Sequence, residues 1–227
     1  MQAMAALTGG TQVNSVTESG SVVRTIGNDQ ESGTISMQST GNTASQITIS
    51  TSAGNRSETR VWDSGGPSGQ WTELDGQPHQ MAQPNCWTDA AWFFPALSML
   101  SDYADPTLVF TDLGPEQHDG RSVEHIEAYR TYPGLPQRRA DELARLSSVD
   151  YYLDSQTALP VAMAFSTHDN RNLNVDIPVE IIFSQYEAVR GVQVPFQVTR
   201  MWNGFPLFHI SIASAAPNNP GSPLQKR

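Results

Sequence analysis

The sequence predicts a mainly β protein of the α+β class: one curved antiparallel sheet with a few helices over its concave face. Three observations carry this expectation. Short β-prone runs follow one another with Gly, Asn, Asp and Ser turns between them. Inside those runs apolar and polar residues alternate with period two, as in strands with one buried and one wet face. Only two stretches, near residues 84–103 and 136–148, shift toward helical spacing.

From Val13 to Trp62 the runs SVVRTIG, GTISMQS, SQITIST and SETRVW read as successive strands. In SQITIST, Ile47 and Ile49 share one face, with Thr48 and Ser50 opposite. A further hairpin begins in GQWTELDG, turns at Asp75-Gly76 and returns through HQMAQ. The character changes at Pro84. NCWTDAAWFFPALSMLSDYA offers Asn85 as an N-cap, and after Pro95 its Leu97, Leu100 and Tyr103 follow a helical period, so one or two short helices are expected. Strands resume at TLVFTDLG and RSVEHIEAYRTY, where Val123, Ile126 and Tyr129 break strict alternation and predict a bulge. PQRRADELARLSS, with Pro136 near its start and Leu143 and Leu146 on one edge, reads as a helix of two or three turns or an irregular loop.

The strongest strand signals come last. VDYYLDS, LPVAMAFST, IPVEIIFSQYEAV, VPFQVTRMW and FPLFHISIAS form a five-strand meander, with turns at Asp169-Asn170 and Asn203-Gly204 and a bend over Tyr186–Gly191. Val161, Met163 and Phe165 share one face; Ile177, Val179, Ile181 and Phe183 share another, matched by Val194, Phe196 and Val198. No fixed-period repeat or linker divides the chain, so residues 1–215 are expected to form one domain, with 216–227 a flexible polar tail. A split near residue 84 or 135 is the alternative.

Composition excludes several classes of function. The net charge is −10 and Lys226 is the sole lysine, which does not suit a phosphate backbone or an anionic membrane surface. Arg138, Arg139 and Arg145 alternate with Asp141 and Glu142, as on a solvated helix face. Cys86 is the only cysteine, so no intrachain disulfide forms, and its neighbour Trp87 points to a packed thiol. No apolar run approaches the roughly 18 residues of a membrane span. MQAMAALTGG lacks a secretory leader; a mature domain from which a signal peptide has been removed would read this way, and so would a cytosolic protein.

Motifs for chemistry are sparse. Glu116, His118, Asp119, Glu124 and His125 crowd one segment, the raw material of a metal site, but their spacing fits no zinc template and His118 precedes an Asp119-Gly120 turn. Neither a nucleophile elbow, nor a dinucleotide fingerprint, nor a P-loop occurs, so no catalytic residue, metal or cofactor is assigned. The aromatic group Trp87, Trp92, Phe93 and Phe94 reads either as core or as the lining of an apolar ligand cavity.

Three segments resemble the LolA-like superfamily of bacterial envelope proteins. One is the step from Asp154 through Thr157 to Leu159-Pro160. Another is the hairpin carrying Phe183, Tyr186, Val189, Gly191, Val194, Pro195 and Phe196. The third is TDLGPEQHDGRSVEHIEA. The likeness covers residues 110–215 well and the first half in strand order. It implies a half-barrel with helices as a lid over an apolar cavity, in the periplasm or cell envelope. It also implies non-catalytic binding of an acyl chain or lipid-like molecule. The expected ligand-facing side chains are Trp92, Phe93, Leu97, Leu100, Phe165, Ile181, Phe183, Phe196 and Val198. Because the chain is strongly acidic, a binding module of this fold is expected in preference to a lipoprotein carrier. The alternatives are an envelope sensor or protein-interaction domain with a self-filled cavity, and a metal-dependent hydrolase using the His118–His125 region.

Overall fold

A computed structural model describes residues 2–169 and 172–218. A short helix, α1 (Gln2–Thr8), precedes β1 (Ser15–Ile26), β2 (Asp29–Thr40), β3 (Ala44–Thr51), β4 (Gly54–Asp63), β5 (Gly66–Thr72) and β6 (Pro78–Gln80). A crossing segment, residues 81–107, leads to β7 (Leu108–His118) and β8 (Arg121–Arg130). Helix α2 (Gln137–Ser147) follows, then β9 (Val149–Asp154), β10 (Pro160–Asp169), β11 (Asn172–Val189), β12 (Val192–Trp202) and β13 (Phe205–Pro217). The thirteen expected strand runs are all present, in one open antiparallel sheet.

The connectivity explains the shape. Each strand pairs with the next in sequence except β6 with β7, and at the centre β1 pairs with β13, so the first and last strands meet in mid-sheet. The sheet's free edges are therefore β6 and β7, which are consecutive in the chain. The crossing segment must run from one edge to the other, and it does so over the concave face. Its Trp92, Phe93, Phe94, Leu97 and Met99 are buried in the same core as Val16, Met37, Tyr151 and Ile181 of the sheet. The amphipathic edge of α1, Ala3 and Leu7, joins that core.

The crossing segment differs from the helices expected there. It forms three 3-10 turns, Gln83–Cys86, Pro95–Leu97 and Met99–Asp102, the first two with a proline in the first turn and the last two separated by an extended Ser98. Asn85 does not cap a helix. Its side chain grips the backbone of His168, accepting from the amide at 2.6 Å and donating to the carbonyl at 2.9 Å. Helix α2 forms as read, with Leu143 and Leu146 buried.

The expected bulge lies in the partner strand, between Asp112 and Gly114 of β7 opposite His125 and Ile126. The long hairpin is tighter than read: β11 pairs through to Val189, and only Arg190 and Gly191 turn, both with positive φ (52° and 83°). Tyr186 belongs to the strand, its hydroxyl donating to the Pro160 carbonyl at 2.8 Å. Strand β13 carries Ala216 and Pro217, two residues of the expected tail, into pairing with Thr17 and Val16. Residues 219–227 of that tail, and Asn170 of the expected Asp169-Asn170 turn, lie outside the described residues.

Candidate ligand cavity

Strand alternation places charge on the concave face where a core would place apolar groups. On β4 the inward positions are Arg56, Glu58 and Arg60, opposite Ile49, Ile47 and Ser45 of β3. On β12 the inward series Val192, Val194, Phe196, Val198 continues to Arg200 and Trp202. Ile35 of β2 and Ile210 of β13 complete an apolar floor. These residues enclose a cavity of about 850 Å³, within the roughly 300–1,000 Å³ of small-molecule sites. Met81, Asn85 and Trp92 are the only crossing-segment residues in its wall.

The mouth lies at the tips of two neighbouring hairpins, β1–β2 and β12–β13. Ile26, Trp202 and Phe205 stand there 50%, 41% and 72% exposed.

The charges fall into two groups. Near the mouth, Arg56 pairs with Glu31 and Glu73 at 2.7 Å each, and Arg24 lies 3.9 and 3.7 Å from the same two carboxylates. Two cations face two anions. Burial works to lower the Arg56 guanidinium, but its bonds to Glu73 and Glu31 outweigh that and raise it. Deeper, Glu58 sits between two arginines: Arg60 Nε donates to it at 2.9 Å, and Arg200 approaches at 3.7 Å, too far for a hydrogen bond. Burial alone would raise the Glu58 carboxyl, yet the two guanidiniums hold it below the usual range, so it is ionised.

Arg200 is 5% exposed, its guanidinium stacks 4.9 Å from the centre of the Trp92 ring, and its Nε has no hydrogen-bond partner among the described residues. Desolvation lowers its affinity for the proton, with Arg60 acting in the same sense and Glu58 against. A buried donor left unmade costs about 1–3 kcal/mol, more when charged.

Of the side chains expected to face a ligand, Trp92 reaches this cavity. Phe165 borders a smaller cleft of about 470 Å³ beside Tyr152 and Glu180. Phe93, Leu97, Leu100, Ile181, Phe183 and Val198 are buried in the core, and Phe196 packs half-buried against it. The crossing segment packs on that part of the concave face. The cavity lies further along the same strands, at Ile177 of β11 and at Arg200 and Trp202 of β12. Two signals in the sequence point to it: the period-two spacing of Arg56, Glu58 and Arg60, and the β12 alternation carried two steps past Val198.

The histidine-rich segment resolves into two pairs around Tyr152, on the side of β9 opposite the core-facing Tyr151. His118 stacks on the Tyr152 ring with centroids 3.8 Å apart and meets Glu180 at 2.6 Å. His125 lies 4.7 Å from the same ring, 2.9 Å from Asp150 and 3.5 Å from Glu116. Burial, with Asp150, Glu116 and Glu180 nearby, pushes the Tyr152 phenol up to about 12. Donor atoms of His118, Asp119 and Glu180 lie within 4.8 Å of one another. Glu124, on the other face of β8 opposite Leu153, takes no part.

The chain is an open antiparallel sheet, joined at its centre by its own first and last strands and carrying a cavity on its concave side. That scaffold is the LolA-like fold. The chain is similar to a LolA superfamily protein from Nitrosomonas europaea, with a TM-score of 0.58 and 9% identity over 96% of this chain and 91% of that one. It is similar also to a putative outer membrane lipoprotein-sorting protein domain from Vibrio parahaemolyticus, with a TM-score of 0.56 and 9% identity over 91% and 86%. A DUF1329 family protein from Desulfovibrio piger matches with a TM-score of 0.56 and 10% identity over 92% and 87%. At such identities the likeness is one of fold. No family model matches the sequence, and no curated protein matches it significantly. Among the described residues no helix is long and apolar enough to cross a membrane.

Proposed function

We propose that this chain is an exported, non-catalytic protein of the bacterial cell envelope or periplasm. Its concave cavity receives the apolar chain of a lipid-like molecule. The single observation that supports this reading is the cavity itself: an isoleucine floor (Ile35, Ile47, Ile49, Ile210) opening through the exposed apolar rim of Ile26, Trp202 and Phe205. The fold it shares with a lipoprotein-sorting domain is consistent with that use. Burial of each such side chain against an acyl chain contributes by the usual hydrophobic transfer, roughly 25 cal/mol per Å².

A second reading draws on the crossing segment, whose Trp92, Phe93, Phe94 and Leu97 fill much of the concave face with the protein's own side chains. On that reading the chain is an envelope sensor or interaction domain, and the remaining cavity is left over from packing. Mass spectrometry of an organic extract from the purified protein, with displacement of a fluorescent fatty acid, separates the two. Co-purifying lipid or saturable displacement supports the first. A clean extract with no probe binding supports the second.

A further inference from the structure

We propose that the ligand is a monoanionic amphiphile, with its charged head seated at Arg60, Glu58 and Arg200 and its chain on the isoleucine floor. This rests on the reading that the cavity holds an apolar chain, and adds the chemical class of its head.

The geometry points there for three reasons. The outer group is balanced, Arg24 and Arg56 against Glu31 and Glu73. The inner group is not: two guanidiniums share one carboxylate, leaving one positive charge deep in the wall. The charges acting on Arg200 are Glu58 and, against it, Arg60. Of the other ionisable groups in the wall, Asp169 is exposed to solvent, and burial disfavours the charged form of His168. A surplus buried charge is costly unless an anion or water meets it.

Second, Arg200 is pre-oriented. Its guanidinium carbon lies over the Trp92 ring, and its Nε is a buried donor with no partner among the described residues. A guanidinium in this state presents the fork that carboxylates fill. Third, the position is right for an amphiphile. Arg60 and Glu58 continue the same strand face as Arg56, beside Ile47, so a head at the triad leaves its chain on Ile47, Ile49 and Ile210.

The test is calorimetric titration of the full chain with dodecanoate, methyl dodecanoate and acetate. The expected result is dodecanoate binding at least about tenfold more tightly than the ester, a step that one charge-assisted pair supplies. Acetate should bind far more weakly than either. Equal affinity for acid and ester overturns the charged-head inference and leaves the cavity reading standing. No binding of either overturns the cavity reading. Acetate binding as tightly as dodecanoate shows an adventitious ion only and overturns the amphiphile. These arms need no variant. Arg200→Met should then abolish the preference for acid over ester while retaining ester binding; a preference that survives overturns the assignment to Arg200. Arg200→Gln serves if Arg200→Met does not fold.

Discussion

The hydroxyl of Tyr151 on β9 donates to Asp89 of the crossing segment at 2.5 Å, and both residues are buried. Asp89 also accepts from the Met99 amide at 2.8 Å, so one carboxyl ties two points of the crossing segment to β9. On the far side Asn42, in the turn between β2 and β3, donates to Asp102 at 2.5 Å. The lid over the core is thus fastened to both halves of the sheet by polar bonds that only the folded chain can make.

Removing the tyrosine hydroxyl tests the tether. Tyr151→Phe keeps the ring and leaves Asp89 with one partner fewer in a buried place. We expect a loss of about 1–3 kcal/mol, read as a lower urea midpoint with an unchanged slope.

Asp89 also predicts a pH dependence. Burial raises its carboxyl to about 6 from an ordinary 3.8, against the smaller opposing effects of Tyr151, Met99 and Arg130. The folded value lies above the unfolded one, so the stabilising contribution is fully present below about pH 4 and is lost as pH rises through about 6. The difference is on the order of 3 kcal/mol. Asp89→Asn should flatten the stability profile across that interval, measured by denaturant titration at successive pH values.

Glu18 makes a second prediction of the same sign. It is 1% exposed, opposite Met37 and Ala215, and its carboxyl oxygens have no hydrogen-bond partner among the described residues. Desolvation pushes it well above the carboxylate range, so it folds protonated and penalises the native state as pH climbs through that raised value. Glu18→Met should therefore stabilise the protein by about 1–3 kcal/mol at neutral or alkaline pH and by less in acid. A variant less stable than the parent at pH 8 would contradict this.

At the seam between the chain ends, Gly20 is required for close approach. A Cβ built there would lie 2.0 Å from the Ser211 carbonyl oxygen, a backbone atom that cannot swing aside, where the β1–β13 register shifts. Gly20→Ala should cost about 1–3 kcal/mol or more by thermal unfolding.

The cavity itself is open to a blocking test. Ile49→Trp places a larger ring on the floor, so uptake of a fluorescent acyl probe should fall severalfold or more while far-UV circular dichroism stays that of the parent. Unchanged uptake would place the probe elsewhere.

How much was legible follows from the range of each signal. Period-two alternation and turn residues are local, so Ile47 with Ile49, Val179 with Ile181, and the Asp75-Gly76 turn were readable without tertiary information. The 3-10 turns were less so: Pro84 and Pro95 are compatible with a helical first turn, and the extended backbone at Ser98 that breaks the stretch has no local signal. α1 carries no distinctive cap or long period, and its Leu7 is apolar for a core that does not exist until β12 and the crossing segment are in place. His118 and Glu180 are distant in the chain, and so are His125 and Asp150. No spacing rule could have joined them.

By itself, then, the sequence determined the thirteen strands and their antiparallel order within each half, because those depend on neighbours one or two residues apart and on short turns. Tertiary structure alone decided where the concave face is filled and where it is left open. That choice depends on β1 finding β13 and on a segment strung between the two free edges. The same inward series on β12 is core at Val198 and cavity wall at Arg200. Nothing in their alternation distinguishes them; the reach of the crossing segment does.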